Sequence, residues 1–204
     1  MTSKTQRWKK ETVTIDKLTH TKNENAGCVH AKSKIVLANG VKIDAENLMP
    51  GMTVKSMTAK TGVANVTHVM KNVVDREIEM VQFPSGLKIT PWHPVWNQET
   101  KHWQMPAMTG FKHVIVNATD SPAVYSFALD NGGCDIEVDG VHAITLAHGI
   151  ENDMVATHKF FGTRAVLDAL AAAAPSDNGV HILQAHSAVV DPATNLICGF
   201  SNRP

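Results

Sequence analysis

A cysteine that follows a glycine stands where the composition of the chain changes. Residues 1–26 are polar and rich in charge, which predicts a flexible leader, whereas the sequence after Gly27-Cys28 reads as short apolar stretches. A thiol is strongly nucleophilic even when little of it is ionised, and glycine on its acyl side adds no steric bulk. The pair therefore fits a nucleophile aimed at the preceding peptide bond. A small buried hydrophobe at the start of the first strand would explain the same residues.

A single histidine is held between two prolines in the sequence Thr90-Pro91-Trp92-His93-Pro94. Because prolines restrict the backbone, this segment would hold one imidazole in a set orientation. A histidine can protonate the nitrogen of a departing amide near neutral pH. The hydroxyl of Thr90 could orient the carbonyl or the nitrogen of the bond being cut. The alternative is a structural turn histidine with a threonine cap.

Two residues near the end of the strand-rich region carry groups suited to proton transfer or charge stabilisation. Asp130 ends an apolar stretch and is a candidate for assisting proton transfer or positioning a water molecule. His148, which precedes a glycine, is a candidate for stabilising an oxyanion. The structural alternatives are a turn-forming aspartate and a histidine in a surface loop.

Length and composition limit the classes of function. With 204 residues, of which 43% are hydrophobic, the chain can bury the core of one domain, with or without a small appendage. Nineteen basic residues balance nineteen acidic ones, so the formal net charge is zero. This balance excludes a global electrostatic footprint for nucleic acid or for an anionic membrane.

The distribution of apolar residues and cysteines predicts a cytoplasmic protein. No apolar run approaches the ~20 residues of a membrane-spanning helix, and none follows the basic start as it would in a secretory signal. Only three cysteines occur, far apart at Cys28, Cys134 and Cys198. So sparse a set does not suit a disulfide scaffold and indicates reduced thiols.

From residue 28 to about residue 150 the chain reads as short β-branched and apolar stretches separated by turn signals. Asn39-Gly40 predicts a two-residue hairpin with a type I′ turn, and Asp139-Gly140 marks a second hairpin. Many short strands at this spacing predict an all-β domain. The predicted strands cover residues 34–37, 41–43, 53–57, 63–70, 78–83, 87–90, 114–116, 123–129, 136–138 and 141–146.

The tail of the chain has a different pattern. Apolar residues recur at helical spacing between Val166 and Ala174, with Thr163 in the position of an N-cap and Pro175 after the last turn. This pattern predicts one helix, and one or two strands are predicted to follow. We therefore divide the chain into a leader, a β domain and a short C-terminal extension with one helix, at residues 1–27, 28–158 and 159–204.

Three segments, in this order along the chain, resemble the sequence blocks of the hedgehog/intein (Hint) family. They are CVHAKSKIVLANG with MPGMTV within residues 28–54, TPWHPV at 90–95, and the stretch that begins with VYSF at 124–127. The ending TLAHG at 145–149, followed by HKFFGT at 158–163, is most similar to the Vint subgroup, whose domains occur alongside von Willebrand A modules. The resemblance covers roughly residues 28–200.

The resemblance implies a horseshoe-shaped, all-β fold in which the first and last strands meet centrally and bring together Cys28, Thr90, His93 and His148. It also implies self-processing, in which Cys28 attacks the Gly27 carbonyl in an N-to-S acyl shift. His93 would protonate the nitrogen of Cys28, and Thr90 would help to hold the bond in a distorted geometry. The leader would be the substrate, held as a thioester until water, a thiol or an amine resolves it, and no cofactor is expected.

The sequence also departs from the family pattern. Inteins end in His-Asn, and cyclisation of the asparagine cuts the downstream junction, but here Gly149 follows His148, so we expect no C-terminal splicing. Cys134 stands where an intein-like final block can carry a histidine, and it is a candidate relay or acyl acceptor, or a buried thiol. His142 is a second relay candidate, or a residue that faces solvent. The extension lies where hedgehog proteins carry a sterol-recognition region, but its short, alanine-rich helix gives no sign of sterol binding.

Two other functions are compatible with the same residues. A degenerate Hint domain would remain uncleaved and serve as an interaction module. Cys28, Cys134, His93 and His148 are also ligand types for tetrahedral Zn²⁺, but no two of them are close in sequence, so we expect no metal site. We expect a monomer that binds neither nucleic acid nor membranes.

Overall fold

The computed structural model describes residues 27–194 and 196–201. The predicted flexible leader, residues 1–26, lies outside this part of the chain. Strands hold 40% of the residues and helices 9%, which confirms the predicted all-β class. The elements are β1 (Val29–His30), β2 (Lys34–Val36), β3 (Lys42–Asp44), β4 (Thr53–Lys55), β5 (Val63–Val73), β6 (Ile78–Gln82), β7 (Lys88–Ile89), β8 (Val95–Asn97), β9 (His102–Gln104), β10 (Lys112–Val116), β11 (Ala123–Leu129), β12 (Asp135–Val138), β13 (Val141–Ile144), α1 (Ala165–Ala173), β14 (Val180–Leu183), β15 (Ala188–Asp191) and β16 (Leu196–Phe200), with short 3₁₀ turns at Ala45–Asn47 and Pro106–Met108.

The strands form two larger sheets and one separate hairpin. The first sheet has the order β10-β6-β7-β1-β11-β5-β14, with β4 also paired to β5, and the second has the order β3-β2-β12-β13-β8-β9. Strand β1 therefore lies between β7 and β11, with Val29 opposite both Ile89 and Tyr125. The first strand of the domain thus pairs with β11 at the centre of the sheet, whereas the last strand of the predicted β domain, β13, lies in the second sheet.

Strand β11 is buried on both faces, which lets it place a polar residue inside the protein. Tyr125 and Phe127 belong to one hydrophobic core and Val124 and Ala128 to another, as expected from the alternation of side chains along a strand. Ser126 lies on the same face as Val124 and Ala128, and it is buried as well.

Cys28 shares its core with the C-terminal extension. Strand β14 pairs in parallel with β5, and this attaches the extension to the sheet. Fully burying an apolar side chain stabilises the fold by about 1.5–3 kcal/mol, so the extension contributes substantially to this core. The buried members of the core are Cys28, Met70, Val74, Met80, Val116, Val124, Ala128, Leu146, Phe160, Val166, Leu170, Leu183 and Ile197.

The two predicted hairpin turns have different conformations. Asp139 and Gly140 both have positive φ angles, of 49° and 79°, and Val138 pairs with Val141, so this hairpin has a two-residue loop. The prediction of a type I′ turn at Asn39-Gly40 is wrong, because only Gly40 has a positive φ.

The structure at residues 37–41 explains the difference. The amide of Leu37 donates to the carbonyl of Val41 at 2.8 Å, which leaves three residues in the loop. A type I turn followed by a left-handed glycine suits an Asn-Gly pair equally well.

Helix α1 begins later than predicted. The residue at its N-cap is Arg164, with no capping side chain, and the hydroxyl of Thr163 donates backwards to the carbonyl of Lys159 at 2.9 Å. The prediction of Thr163 as the N-cap is therefore wrong, because its hydroxyl caps the preceding turn instead. Within the described residues, no helix has the length and apolar character of a membrane span.

Candidate active site

The peptide bond between Gly27 and Cys28 is held at both ends. The hydroxyl of Ser126 donates a hydrogen bond to the carbonyl oxygen of Gly27. The amide of Cys28 donates to Oγ1 of Thr90 at 3.0 Å, and the amide of Thr90 donates to the carbonyl of Cys28 at 2.9 Å. The strand pairing of β1 with β7 and β11 creates this arrangement, since Thr90 directly follows β7 and Ser126 lies on β11.

The sulfur of Cys28 is buried and lies beside two polar side chains. The hydroxyl of Ser126 and the side-chain amide of Asn72 both lie 3.3 Å from Sγ. Burial raises the pKa of the Cys28 thiol from 9.0 to about 11, although these two side chains act in the opposite direction. The thiol is therefore protonated at neutral pH, and its attack on a carbonyl needs a base.

His93 supplies an unprotonated nitrogen beside the same peptide bond. Its Nε2 donates to the carbonyl of Ile144 at 2.7 Å, which assigns the lone pair to Nδ1, and Nδ1 is buried with no hydrogen-bond partner among the described residues. Burial lowers the pKa of His93 from 6.5 to about 4, against the raising effect of backbone interactions with Ile144 and Cys28. The imidazole is therefore neutral at pH 7.

The contact between His93 and Gly27 leaves no room for a side chain at residue 27. A Cβ built on Gly27 would lie 2.8 Å from Cγ of His93 and 3.1 Å from Nδ1. Contacts below 3.0 Å are essentially absent from real proteins, so a larger residue would push the ring away. The glycine is thus needed for close packing of the imidazole on the acyl side of the bond.

His148 lies near the same peptide bond, across a small cavity. The cavity has a volume of about 50 Å³ and is lined by Gly27, His93, Ser126 and His148 among others, so it is large enough for water. Nδ1 of His148 accepts a hydrogen bond from the amide of Ile150 at 3.0 Å. Burial, with a smaller contribution from the nearby side chains of His158 and His93, lowers the pKa of His148 from 6.5 to about 4.

Asp130 lies away from the Gly27–Cys28 bond. Its carboxylate accepts hydrogen bonds from the backbone amide of Asn65 at 2.7 Å and from the side chain of Asn65 at 3.0 Å. Four residues along an extended strand span about 13 Å, so Ser126 and Asp130 are far apart. The contacts of Asp130 join the end of β11 to β5.

The two relay candidates are also held elsewhere. Nδ1 of His142 lies 2.6 Å from the buried carboxylate of Asp135. Cys134 donates its thiol hydrogen to the carbonyl of His148 at 3.0 Å, and burial raises its pKa. Neither residue lines the cavity beside Gly27. Cys134 therefore contacts the backbone at His148, outside the lining of the cavity beside Gly27.

Ser126 and Asn72 are functional candidates that sequence reasoning missed. A serine within an otherwise apolar predicted strand was a usable signal for Ser126, because a buried hydroxyl needs a partner. Asn72 had no such signal, since it lies among alternating residues of the long strand β5. Within the described residues, no group of three or more His, Cys, Asp or Glu side chains could hold a metal ion.

The stability of the fold is expected to decrease as the pH falls from about 6.5 to about 4. His93 and His148 have pKa values of about 4 in the fold, and in the unfolded chain a histidine titrates near 6.5. Between these pH values the unfolded chain binds more protons than the folded one. The contribution of the two histidines to the free energy of unfolding is therefore complete above pH ~6.5 and is lost as the pH falls through ~4. Each shift corresponds to as much as about 3 kcal/mol.

Urea unfolding at a series of pH values measures this effect, in a Cys28→Ala background that removes the thiol beside the Gly27 carbonyl. His93→Gln should make the free energy of unfolding less dependent on pH, whereas His102→Gln, at an exposed position, should leave the dependence unchanged. Equal pH dependence in His93→Gln and in its parent would contradict a neutral buried imidazole.

The fold and the site together define a class of protein. A buried cysteine directly before the central strand of an all-β fold, with glycine before it, a threonine on its amide and a histidine against the glycine, is the arrangement of a Hint-type domain. The sequence model of the Vint family, described as a Hint-domain, matches residues 27–199. The chain belongs to the Vint family of Hint domains. Hint domains and inteins are self-processing.

Several solved structures are similar to this chain. An intein-like domain from Clostridium thermocellum is 16% identical, with a TM-score of 0.46, over 59% of this chain and 99% of that one. The DnaB intein from Synechocystis sp. PCC 6803 is 11% identical, with a TM-score of 0.42, over 59% and 99%. The gp41-1 intein is 12% identical, with a TM-score of 0.42, over 59% and 100%. No match was found among curated proteins.

Proposed function

We propose that the chain cleaves its own Gly27–Cys28 bond by an N-to-S acyl shift, as a single-turnover cysteine autoprotease that acts in cis. The leader is the substrate, and the resulting thioester is resolved by a small nucleophile. One observation carries this proposal: a single peptide bond is held at its carbonyl by Ser126 and at its nitrogen by Thr90, with the thiol of Cys28 bound to Ser126.

In the first step, Nδ1 of His93 takes the proton of the Cys28 thiol, and Sγ attacks the carbonyl carbon of Gly27. The negative charge that develops on the Gly27 oxygen is stabilised by the hydroxyl of Ser126, which already donates to that atom. His93 must accept the thiol proton before it can donate a proton to the nitrogen of Cys28. The reason is that its imidazole is neutral and carries its only proton on Nε2, so Nδ1 has none to give at the start.

In the second step, the His93 imidazolium returns the proton to the nitrogen of Cys28 as the C–N bond breaks. The amide hydrogen of Cys28 is bound to Thr90, which leaves the developing lone pair of the nitrogen free to accept the new proton. The leader is then a thioester on Sγ, and Cys28 carries a free amino group. Because thiol and carbonyl belong to one rigid site, no encounter in solution is needed, and effective molarities of ~10⁵–10⁸ M are typical of such geometry.

C-terminal splicing does not form part of the proposed reaction. Gly149 follows His148, so the asparagine that cyclises in inteins is replaced by a residue with no side chain. The thioester is therefore released by water, a thiol or an amine and is not passed to a downstream segment.

The intact mass of the full chain, with and without added thiol, tests this function. We expect a fragment that begins at Cys28 and a leader that ends at Gly27, with cleavage accelerated by dithiothreitol and by hydroxylamine. A chain that keeps its full mass in both reagents at neutral pH would contradict the proposal and would favour an uncleaved interaction module.

Ser126→Ala is expected to slow the acyl shift by about 10²-fold, because one oxyanion donor contributes ~10²–10³ in comparable sites. The rate of thiol-induced cleavage measures the effect. Ser121→Ala is a matched control, since Ser121 is also buried and donates to a backbone carbonyl, that of Ala123. Equal rates for the two variants would remove Ser126 from the mechanism.

A further inference from the structure

A second, larger cleft opens on the thiol side of the scissile bond. It has a volume of about 340 Å³, and Cys28, Thr90 and Asn72 are among the residues that line it. One wall is formed by residues 72–76 at the end of β5, and the opposite wall by residues 184–188 of the C-terminal extension. A thioester on Sγ of Cys28 would therefore be accessible from a space that the extension completes.

The mouth of this cleft carries a histidine and a carboxylate in contact. Nε2 of His186 lies 3.3 Å from Oδ2 of Asp75, and both side chains are about half exposed. The pair joins the two walls, since Asp75 follows β5 and His186 follows β14. A proton on Nε2, the nitrogen nearer the carboxylate, would leave Nδ1 as the nitrogen that can take a proton.

The backbone at His186 has an uncommon conformation. Its φ is +62°, in the left-handed region, whereas most residues that adopt it in this chain are glycines or residues of hairpin turns. The turn that contains it is closed by the amide of Ser187, which donates to the carbonyl of Gln184 at 3.3 Å. This conformation costs free energy, and in it the imidazole of His186 contacts the carboxylate of Asp75.

We infer that the Asp75–His186 pair is the general base that delivers a hydroxyl nucleophile, from water or from a small alcohol, to the thioester. This inference rests on the proposed acyl shift. Nδ1 of His186 takes the proton of the hydroxyl, and the oxygen bonds to the carbonyl carbon of Gly27. The C–S bond breaks, the sulfur takes the proton from the imidazolium, and the products are a leader acid or ester and the free thiol of Cys28. Asp75 stabilises the imidazolium between these steps.

The chemistry of the acceptor decides in favour of a hydroxyl. Water has a pKa of ~15.7, so its attack at neutral pH gains from a positioned base. A thiol, with a pKa near 8.5, supplies its own thiolate and does not need one. The pair therefore predicts a separation of the two routes: it should accelerate release by water or alcohol and leave release by added thiol unchanged.

The test compares His186→Asn and Asp75→Asn with the full wild-type chain, since asparagine tolerates the left-handed backbone at residue 186. Unassisted cleavage should slow by about 10²-fold or more, with the thioester accumulating, while cleavage by dithiothreitol stays at the wild-type rate. The matched control is His113→Asn, because His113 forms an exposed pair with Glu79 on the outer strands of the same sheet. The control should behave as the wild type in both assays.

The outcomes separate this inference from the proposed function. Absence of thiol-induced cleavage in the wild type would overturn both. If thiol-induced cleavage is normal and unassisted cleavage is unchanged in both variants, the general base alone is overturned. The same conclusion follows if the variants slow thiol-induced and unassisted cleavage equally. Adding ethanol distinguishes the hydroxyl sources, because the leader is then released as the free acid or as the ethyl ester, and His186→Asn should slow whichever product forms.

Discussion

Cys28→Ala leaves the chain whole, at the mass of the uncleaved protein, under conditions in which the wild type separates into a leader and a fragment that begins at Cys28. The expected loss of rate is at least about 10⁴-fold, as in other sites that lose their nucleophile. The reason is geometric. Sγ is the atom that takes the acyl group, and the nearby hydroxyl of Ser126 is already engaged as a donor to the Gly27 oxygen. Intact mass after incubation with dithiothreitol gives the result directly.

The other two cysteines provide the control. Cys134 donates its thiol hydrogen to the backbone carbonyl of His148, and Cys198 is exposed on the outer hairpin. Cys134→Ser keeps a donor at that position, and Cys198→Ser removes a thiol from the surface, so both variants should cleave near the wild-type rate. Cleavage that survives Cys28→Ala, or that stops in Cys134→Ser, would place the nucleophile elsewhere.

Local sequence patterns were sufficient to predict the elements that carry the site. The stretch predicted as a strand at residues 123–129 coincides with β11, and the Thr-Xaa-Xaa-His motif placed Thr90 and His93 at a turn after a short strand. The short strand β1, with only Val29–His30, lies outside the predicted strand ranges. A strand of two residues has no periodicity, and it exists because neighbouring strands supply its hydrogen bonds.

The contacts made by Ser126 and Asn72 could not be predicted, because they depend on strand register. Val29 pairs with Tyr125, which brings Ser126 against Cys28 although 98 residues separate them in sequence. A shift of the register by one residue would turn Ser126 to the opposite face of the sheet. Nothing in the local sequence specifies that register, which follows from the packing of both cores.

Asp130 and His142 carry side chains suited to proton transfer, but the structure places them in contact with other polar groups. Both are titratable residues near the last strands, but Asp130 binds the backbone of Asn65, and His142 binds Asp135. Each satisfies a local polar group at the end of a strand or beside a hairpin. Residue type alone does not distinguish such a structural role from proton transfer.

His93→Gln is expected to slow thiol-induced cleavage by about 10²–10⁴-fold, the usual contribution of a positioned acid–base group. Glutamine retains an amide that can donate to the carbonyl of Ile144 but lacks a basic nitrogen beside Gly27. The stronger evidence comes from the pH dependence. In the wild type, a His93 pKa of about 4 and a Cys28 pKa of about 11 leave base and thiol in their reactive forms throughout the intervening range, so the rate should be flat around neutral pH.

Without the base, the reaction depends on the small fraction of the Cys28 thiol that is ionised at the pH of the assay. Because the Cys28 pKa of about 11 lies well above neutral pH, the rate in His93→Gln should rise about tenfold for each pH unit. The measurement uses thiol concentrations at which the rate no longer depends on thiol, so that the acyl shift is limiting. His102→Gln, at an exposed position, should keep the flat profile. A flat profile in His93→Gln would show that another group takes the thiol proton, since burial alone cannot supply thiolate at pH 7.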